Sequence, residues 1–226
     1  MNIAAAIAAY DAADSVGEVV RRTAQVLSEV LVVDDGSADA TAAAARAAGA
    51  RVVSHPENRG KGQALATAFA DLFGRGFDAV VTLDADGQHL PEEIPALLGA
   101  AGGPGGADLV IGSRDHLFAA MGRVRRTSNR WSSRLISAAA GLGLADVQSG
   151  FRLYTRRLIA ATGFPESRFE AESAVVVRAA RRGFRVVAVP VRLGFADGRC
   201  TSHYRPLVDS LRIARAVTRA RLERVG

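Results

Sequence analysis

From Ala79 to Leu83 the chain holds no charged residue, and it then stops abruptly in Asp84, Ala85, Asp86 and Gly87. So short an apolar run, bounded by turn residues, reads as a strand buried on both faces. That constrains the fold to a sheet covered by helices on either side. Two carboxylates two residues apart at the tip of such a strand repel one another unless a cation sits between them. Hard oxygen donors of this kind suit Mg²⁺ or Mn²⁺, ions that share their shell with substrate phosphates. Gln88 adds a neutral carbonyl oxygen two residues further on. The alternative for the same residues is a solvated acidic turn capping the helix that Pro91, Glu92 and Glu93 open.

The first half of the chain repeats this alternation. Ile3 to Ala9 reads as a strand, and the spacing of Ser15 and Glu18 predicts a capping box on a helix reaching Leu27. Val30 to Val33 is a second strand, tipped by Asp34, Asp35, Gly36 and Ser37. Ala40 to Ala48 is a helix stopped by Gly49. Arg51 to Ser54 is a third strand, and "HPENRGKGQA" is a loop entering a helix over Gln63 to Phe73. Strands and helices joined by turns of a few residues predict an α/β fold with a mostly parallel, doubly wound sheet in a single domain. Ligands in such sheets bind beyond the carboxyl ends of the strands. Asp34-Asp35 and Asp84-Asp86 both stand at such ends and are read as one site. No G-x-G-x-x-G turn follows the first strand, so a Rossmann dinucleotide site is not indicated.

In the second half, Gly99 to Asp108 is a glycine-rich surface loop and Asp108 to Gly112 a strand leading into Ser113 and Arg114. A basic stretch follows, with Arg123, Arg125, Arg126, Arg130 and Arg134, and it is helical from about Ser128 to Ala140. Asp146 to Tyr154 reads as a polar turn. Phe169 to Arg182 is a helix opening with Glu170 and Glu172, Phe184 to Val191 a strand, and Pro206 to Val225 an arginine-rich helix. On that last helix Leu207, Leu211, Ala214 and Val217 form an apolar stripe beside Arg212, Arg215 and Arg219. The stripe either docks on the sheet or lies on a membrane surface.

At 226 residues the chain can bury a core for one α/β domain. Its one cysteine, Cys200, rules out a disulfide framework or a thiolate metal site and fits a reducing cytoplasm. The net charge of +6 comes almost wholly from arginine, with Lys61 the only lysine, in a chain also rich in alanine and glycine. This is compositional bias and not a nucleic-acid signature, since neither aromatic RNA-binding motifs nor zinc-finger spacings occur. No run approaches the roughly 18 apolar residues of a membrane span, and "MNIAAAIAAY" lacks the basic leader of a signal peptide.

Seven segments stand in order: "VVDDGSADAT", "ENRGKGQAL", "LDADGQHLPEEI", "LVIGSR", "DVQSGFRLY", "FEAES" and "RRGFRVVAVPV". Together they resemble the family 2 inverting glycosyltransferases of GT-A fold, and within these the polyprenyl-phosphate (dolichyl-phosphate) mannosyl- and glucosyltransferase branch. The resemblance implies one domain over 1–226. Residues 1–112 form its nucleotide-sugar half, and 113–226 the acceptor side with the C-terminal helix. It implies that Tyr10, Asp34 and Asp35 contact the nucleoside of a UDP- or GDP-linked hexose, with Lys61 on its phosphates or base. Asp84 holds the ribose or the metal, and Asp86 and Gln88 bind Mg²⁺ or Mn²⁺ on the diphosphate. Arg114, with Arg125, Arg126 or Arg130, receives the phosphate of a polyprenyl acceptor, and Glu172 stands where family members carry the catalytic base. A cytoplasmic enzyme lying peripherally on the inner face of the cell membrane follows. The family's usual first strand ends Pro-Ala-Tyr-Asn-Glu-Glu; here Ala8, Ala9, Tyr10, Asp11, Ala12 and Ala13 stand instead.

The chemistry agrees from its own side. A phosphate monoester is mostly ionised at neutral pH, its second pKa being about 6. Such an acceptor needs arginine forks more than a base. The rival readings are a non-catalytic nucleotide-sugar binder and a sugar nucleotidyltransferase. The latter wants a glycine-rich basic loop after the first strand, and "AAIAAYDAAD" has none.

Overall fold

A computed structural model describes residues 1–103, 105–114, 133–144, 146–194 and 206–223, with 206 and 207 described for the main chain alone. Seven strands form one sheet: β1 (Ile3–Ala9), β2 (Val30–Asp34), β3 (Arg51–Ser54), β4 (Ala79–Asp84), β5 (Leu109–Ser113), β6 (Arg152–Thr155) and β7 (Val186–Pro190). Their order across the sheet is β3-β2-β1-β4-β6-β5-β7. Every pairing is parallel except the two made by β6, which runs antiparallel between β4 and β5. The mostly parallel α/β sheet expected from the alternation is therefore present. The chain winds outward from β1 through β2 to β3 and then returns to β1's other side as β4. Sheets with such a reversal bind ligands beyond the carboxyl ends of the strands on either side of it, here β1, β2 and β4.

Among the described residues, eight helical segments flank the sheet: α1 (Ala13–Ala24), α2 (Thr41–Ala47), α3 (Lys61–Gly74), α4 (Ile94–Gly102, entered through a 3₁₀ turn at Pro91–Glu93), α5 (133–140), α6 (Arg156–Thr162), α7 (Glu170–Arg181) and, packed on α7, α8 (Pro206–Leu222). On one face Leu31, Val33 and Val80 meet Leu65, Phe69 and Leu72 of α3 and Ala174 and Val175 of α7. On the other, Val32, Val81 and Leu83 meet Val16, Val19 and Val20 of α1 and Ile94 and Leu97 of α4. The helical residues recur every three or four positions, so each helix turns one apolar side to the sheet. Each fully buried leucine or valine stabilises the fold by about 2 kcal/mol.

The structure departs from three local expectations. The capping box does not form: α1 begins at Ala13, and its first residue follows Ala12, which gives no side-chain cap. Instead, Ala12 N–H donates to Thr41 Oγ1 and Ala13 N–H to Asp39, so a neighbouring turn caps the helix. The segment read as a polar turn up to Tyr154 ends in strand β6 and continues into α6. Arg152 and Tyr154 alternate with Leu153, and all three are fully buried, so polar character there does not mean exposure. On α8 the docked side is Ile213, Ala216, Val217 and Ala220, while Leu211 faces outward; Leu207 lies outside the described side chains.

Candidate active site

β4 delivers Asp84 to the carboxyl edge of the sheet, in register with Ala8 of β1. Side chains alternate along a strand, so Asp84 follows Val80 and Thr82 onto the face covered by α3 and α7. Both helices begin at this edge, α3 with Lys61 and α7 with Glu170 and Glu172. Lys61 Nζ lies 2.6 Å from Asp84 Oδ1 and 3.0 Å from Glu172 Oε2. Asp84 thus receives a counter-charge from the chain itself. Burial alone would lower the Lys61 pKa, but the charges of Asp84 and then Glu172 outweigh it and hold the ammonium above its ordinary value. Burial likewise works against ionised Asp84, and the charge of Lys61 reverses that, leaving its carboxyl well below the usual range.

Gly150 makes room for this cluster. Thr82 Oγ1 donates to the Gly150 carbonyl at 2.8 Å and draws the loop inward. A Cβ at that position would stand 2.6 Å from Lys61 Nζ and 2.9 Å from Asp84 Oδ2. His89 lies beneath the turn, 2 % exposed and stacked on Phe151. Its Nδ1 accepts the Asp84 N–H at 3.1 Å, which fixes the backbone just before the second aspartate. Burial, only partly opposed by Asp84, lowers its pKa to about 4, so this imidazole is a neutral acceptor.

Arg114 follows β5, and its Nε and Nη2 reach the two oxygens of Asp146 at 2.8 and 3.3 Å. Asp146 is fully buried and also accepts the N–H groups of Arg114 and Gln148. A guanidinium has five N–H donors, so the clamp orients Arg114 and leaves donors over. Arg152, wholly buried, donates to the carbonyls of Val147, Ser149 and Glu172 at 2.7 Å or less. It ties the loop carrying Asp146 and Gly150 to the first turn of α7. Among the described residues, Glu172 Oε1 and Glu170 Oε2 are buried without a hydrogen-bond partner. Buried carboxylate oxygens are costly to leave unpaired, so these two mark places where a ligand or water donates.

The remaining predicted residues are placed differently from one another. Asp34 follows Val32 toward the α1 side and accepts the N–H and hydroxyl of Ser37. Asp35 accepts the N–H groups of Arg59 and Gly60 and meets His55 Nδ1 at 2.7 Å. The Asp-Asp pair therefore splits, and Asp35 anchors the loop that leads to Lys61. Gly36, at φ +75°, allows the 57–58 backbone to pass so close that a Cβ would lie 2.4 Å from it. Tyr10 is half-buried at the end of β1. Beside it Asp11 takes φ +46° and bonds to the Ser37–Ala38 turn. That turn holds the corner where the family's proline and glutamates are replaced.

Asp86 lies past β4 and its Oδ1 accepts the Gln88 N–H at 3.0 Å. Among the described residues no three acidic, imidazole or thiol groups gather into a cage for a metal ion. That donor set still fits Mg²⁺, which is commonly held by one or two carboxylates plus substrate phosphates: Asp86 is half-buried at the crevice with Gln88 beside it. Arg123, Arg125, Arg126, Arg130, Trp131, Cys200 and His203 lie outside the described residues; Arg134 is exposed on α5. Sequence reading passed over His55, Asp146 and Arg152. Only Asp146 and Arg152 carried a signal, as charges flanking the glycine of "DVQSGFR".

A GT-A architecture with an acid-tipped crevice is the setting for sugar transfer. The sequence model of glycosyl transferase family 2 matches residues 5–163. Polyprenol monophosphomannose synthase of Mycolicibacterium smegmatis is 34 % identical over 195 residues, 78 % of this chain and 69 % of that protein. Undecaprenyl-phosphate mannosyltransferase of Micrococcus luteus is 37 % identical over 175 residues, 73 % of this chain and 71 % of that protein. Among solved structures, glucosyl-3-phosphoglycerate synthase of Mycobacterium tuberculosis with phosphoglyceric acid aligns with a TM-score of 0.74. It is 26 % identical, and the match covers 100 % of this chain and 80 % of that one. The same enzyme with Mg²⁺ and UDP aligns at 0.71 with 25 % identity, over 100 % of this chain and 79 % of that one. This chain belongs to glycosyl transferase family 2, and the curated relatives just named are polyprenyl-phosphate sugar transferases.

Proposed function

We propose that this enzyme moves a hexose from a UDP- or GDP-linked donor to the phosphate of a polyprenyl phosphate, inverting the anomeric centre. The observation that carries the reading is the Lys61–Asp84–Glu172 cluster at the strand ends, with a partnerless Glu172 oxygen beside it. An acceptor phosphate oxygen forms the new bond to the anomeric carbon as the bond from that carbon to the nucleoside diphosphate breaks. The acceptor, with a second pKa of about 6, brings no proton that must be removed at neutral pH. Arg114, held in place by Asp146, offers its spare N–H donors to that phosphate, with Arg126 and Arg130 as further candidates. Glu172 Oε1 accepts a hydrogen bond from a hydroxyl of the bound sugar. Tyr10, Asp34, Asp35 and Lys61 form the donor side in residues 1–112, and 113–226 supplies the acceptor side. Strand β6, from the second part, lies between β4 and β5 of the first, so both sides share one sheet.

Asp86 and Gln88, with Asp84 close by, are the residues that would hold Mg²⁺ or Mn²⁺. Such an ion supplies charge stabilisation to the departing diphosphate. A polyprenyl acceptor would bring the enzyme to the inner face of the membrane by peripheral contact; no described helix is long and apolar enough to cross one. The test is incubation with labelled UDP- and GDP-hexoses and a short polyprenyl phosphate, followed by butanol extraction. Label in the organic phase with one donor supports the reading. Donor hydrolysis without any lipid-linked product overturns the acceptor, and metal-independent UDP and GDP binding by calorimetry overturns the role of Asp86.

A further inference from the structure

Among the described residues, α8 packs by one side only. Ile213, Ala216, Val217 and Ala220 are buried in the cluster shared with α7. At about 100° per residue these four fall on one flank of the helix, and Val208, Leu211, Arg215 and Leu222 fall opposite. Leu211 is 68 %, Leu222 76 % and Val208 44 % exposed, three of the five large apolar side chains exposed among the described residues. Ala214 and Thr218 complete a shallow open trough between them. Arginines rim the strip: Arg212 and Arg219 on one edge, Arg221 on the other.

The rim is cationic and largely uncompensated. Arg212 turns to Asp209 on the docked side at 3.3 Å. Arg215 and Arg221 make no ion pair with any described residue. Glu223, at the end of the trough, pairs with Arg178 at 2.8 Å and shares its charge with Arg182 and Arg219.

We propose that this outward face of α8 is the enzyme's docking surface for an anionic lipid bilayer. An amphipathic helix of this kind lies in the plane of the interface, its leucines below the headgroups and its arginines at their phosphates. Charge decides between occupants. A second copy of the chain would meet the same patch across a two-fold axis and set arginines against arginines. A negatively charged leaflet complements them. The inference deepens the lipid-phosphate reading and rests on it for the reason the enzyme meets a bilayer, although docking itself uses neither donor nor acceptor.

Co-sedimentation of the full chain with vesicles of phosphatidylcholine, alone or mixed with phosphatidylglycerol, tests it. The protein is expected to pellet with the mixed vesicles, to stay in solution with phosphatidylcholine alone, and to be released by salt. Arg215→Glu is expected to cut partitioning about fivefold or more, and Leu211→Glu with Leu222→Glu at least about tenfold. Both variants alter exposed positions and are expected to keep wild-type transfer to a short soluble polyprenyl phosphate. No binding to mixed vesicles, equal binding to both kinds, or variants that bind as wild type does would overturn the proposal. So would a solution dimer that the double variant dissociates. The vesicles contain no polyprenyl phosphate, so a failed transfer assay leaves the sedimentation result standing, and the reverse holds as well.

Discussion

Lys61 Nζ stands 3.0 Å from Glu172 Oε2, while the other oxygen of that carboxylate is buried with no partner among the described residues. One oxygen thus anchors the side chain and the other is left for a ligand. This separates two acceptor chemistries. With a polyprenyl phosphate, Glu172→Gln is expected to lower kcat/KM by less than about tenfold, since no base is needed. Arg114→Lys keeps a cation beside Asp146 but loses the fork, and it should cost about tenfold to a hundredfold. With a hydroxyl acceptor the order reverses, Glu172→Gln costing about 10²–10⁴-fold. Steady-state kinetics on both acceptor types reads the difference.

Gly150→Ala probes the same cluster from the loop side. Its Cβ would fall 2.6 Å from Lys61 Nζ, well inside contact distance. The ammonium then has to leave Asp84, and donor affinity should fall at least about tenfold, because a misplaced group of this kind is felt strongly in transfer. Calorimetry with UDP and GDP measures the loss, with circular dichroism showing the fold retained.

Asp146 sets an acid limit on stability. Burial raises the cost of its charge, but the hydrogen bonds and charge of Arg114 more than offset this and keep its pKa below the ordinary carboxylate value. Its contribution is therefore complete above about pH 4, the unfolded-state value, and is lost as pH falls from there through the lower folded-state pKa. Urea unfolding of the wild type should lose stability below about pH 4 with a slope that Asp146→Asn reduces, the variant being less stable than wild type at neutral pH.

Arg178, 2 % exposed, joins Glu166 at 2.9 Å and Glu223 at 2.8 Å. Glu166 precedes α7 and Glu223 ends α8, so one guanidinium ties three segments. Arg178→Met leaves the Glu166 carboxylate unpaired in a mostly buried setting and is expected to cost about 3 kcal/mol. For a domain of this size that is a fall of about 6–12 °C in Tm, readable by calorimetry. Glu223→Gln, at the more exposed partner, should cost about 1 kcal/mol.

Much of the fold was legible because it follows from short-range patterns. β2 and β4 announced themselves as apolar runs tipped with aspartates, and the glycines and Pro91 marked where helices stop and start. β6 was not legible. Arg152 and Tyr154 look like surface residues until a loop supplies carbonyls for the guanidinium, and no local pattern records that supply. The capping of α1 by Thr41 and Asp39 was hidden for the same reason, since the acceptors for its first N–H groups come from a different turn. On α8 packing against α7 kept Val217 of the expected stripe but took Ile213, Ala216 and Ala220 with it and left Leu211 outside.

By itself the sequence determined that acidic side chains crown the carboxyl ends of β2 and β4. Strand tips are set by where an apolar run meets its first charge, and that is local. Only the tertiary structure decided which counter-charge each acid receives. Asp35 turns inward to His55 and the 59–60 backbone, Asp84 takes Lys61, and Arg114 takes Asp146. Those choices depend on where α3 and α7 begin relative to the sheet, and desolvated charges settle only where packing brings an opposite charge within reach.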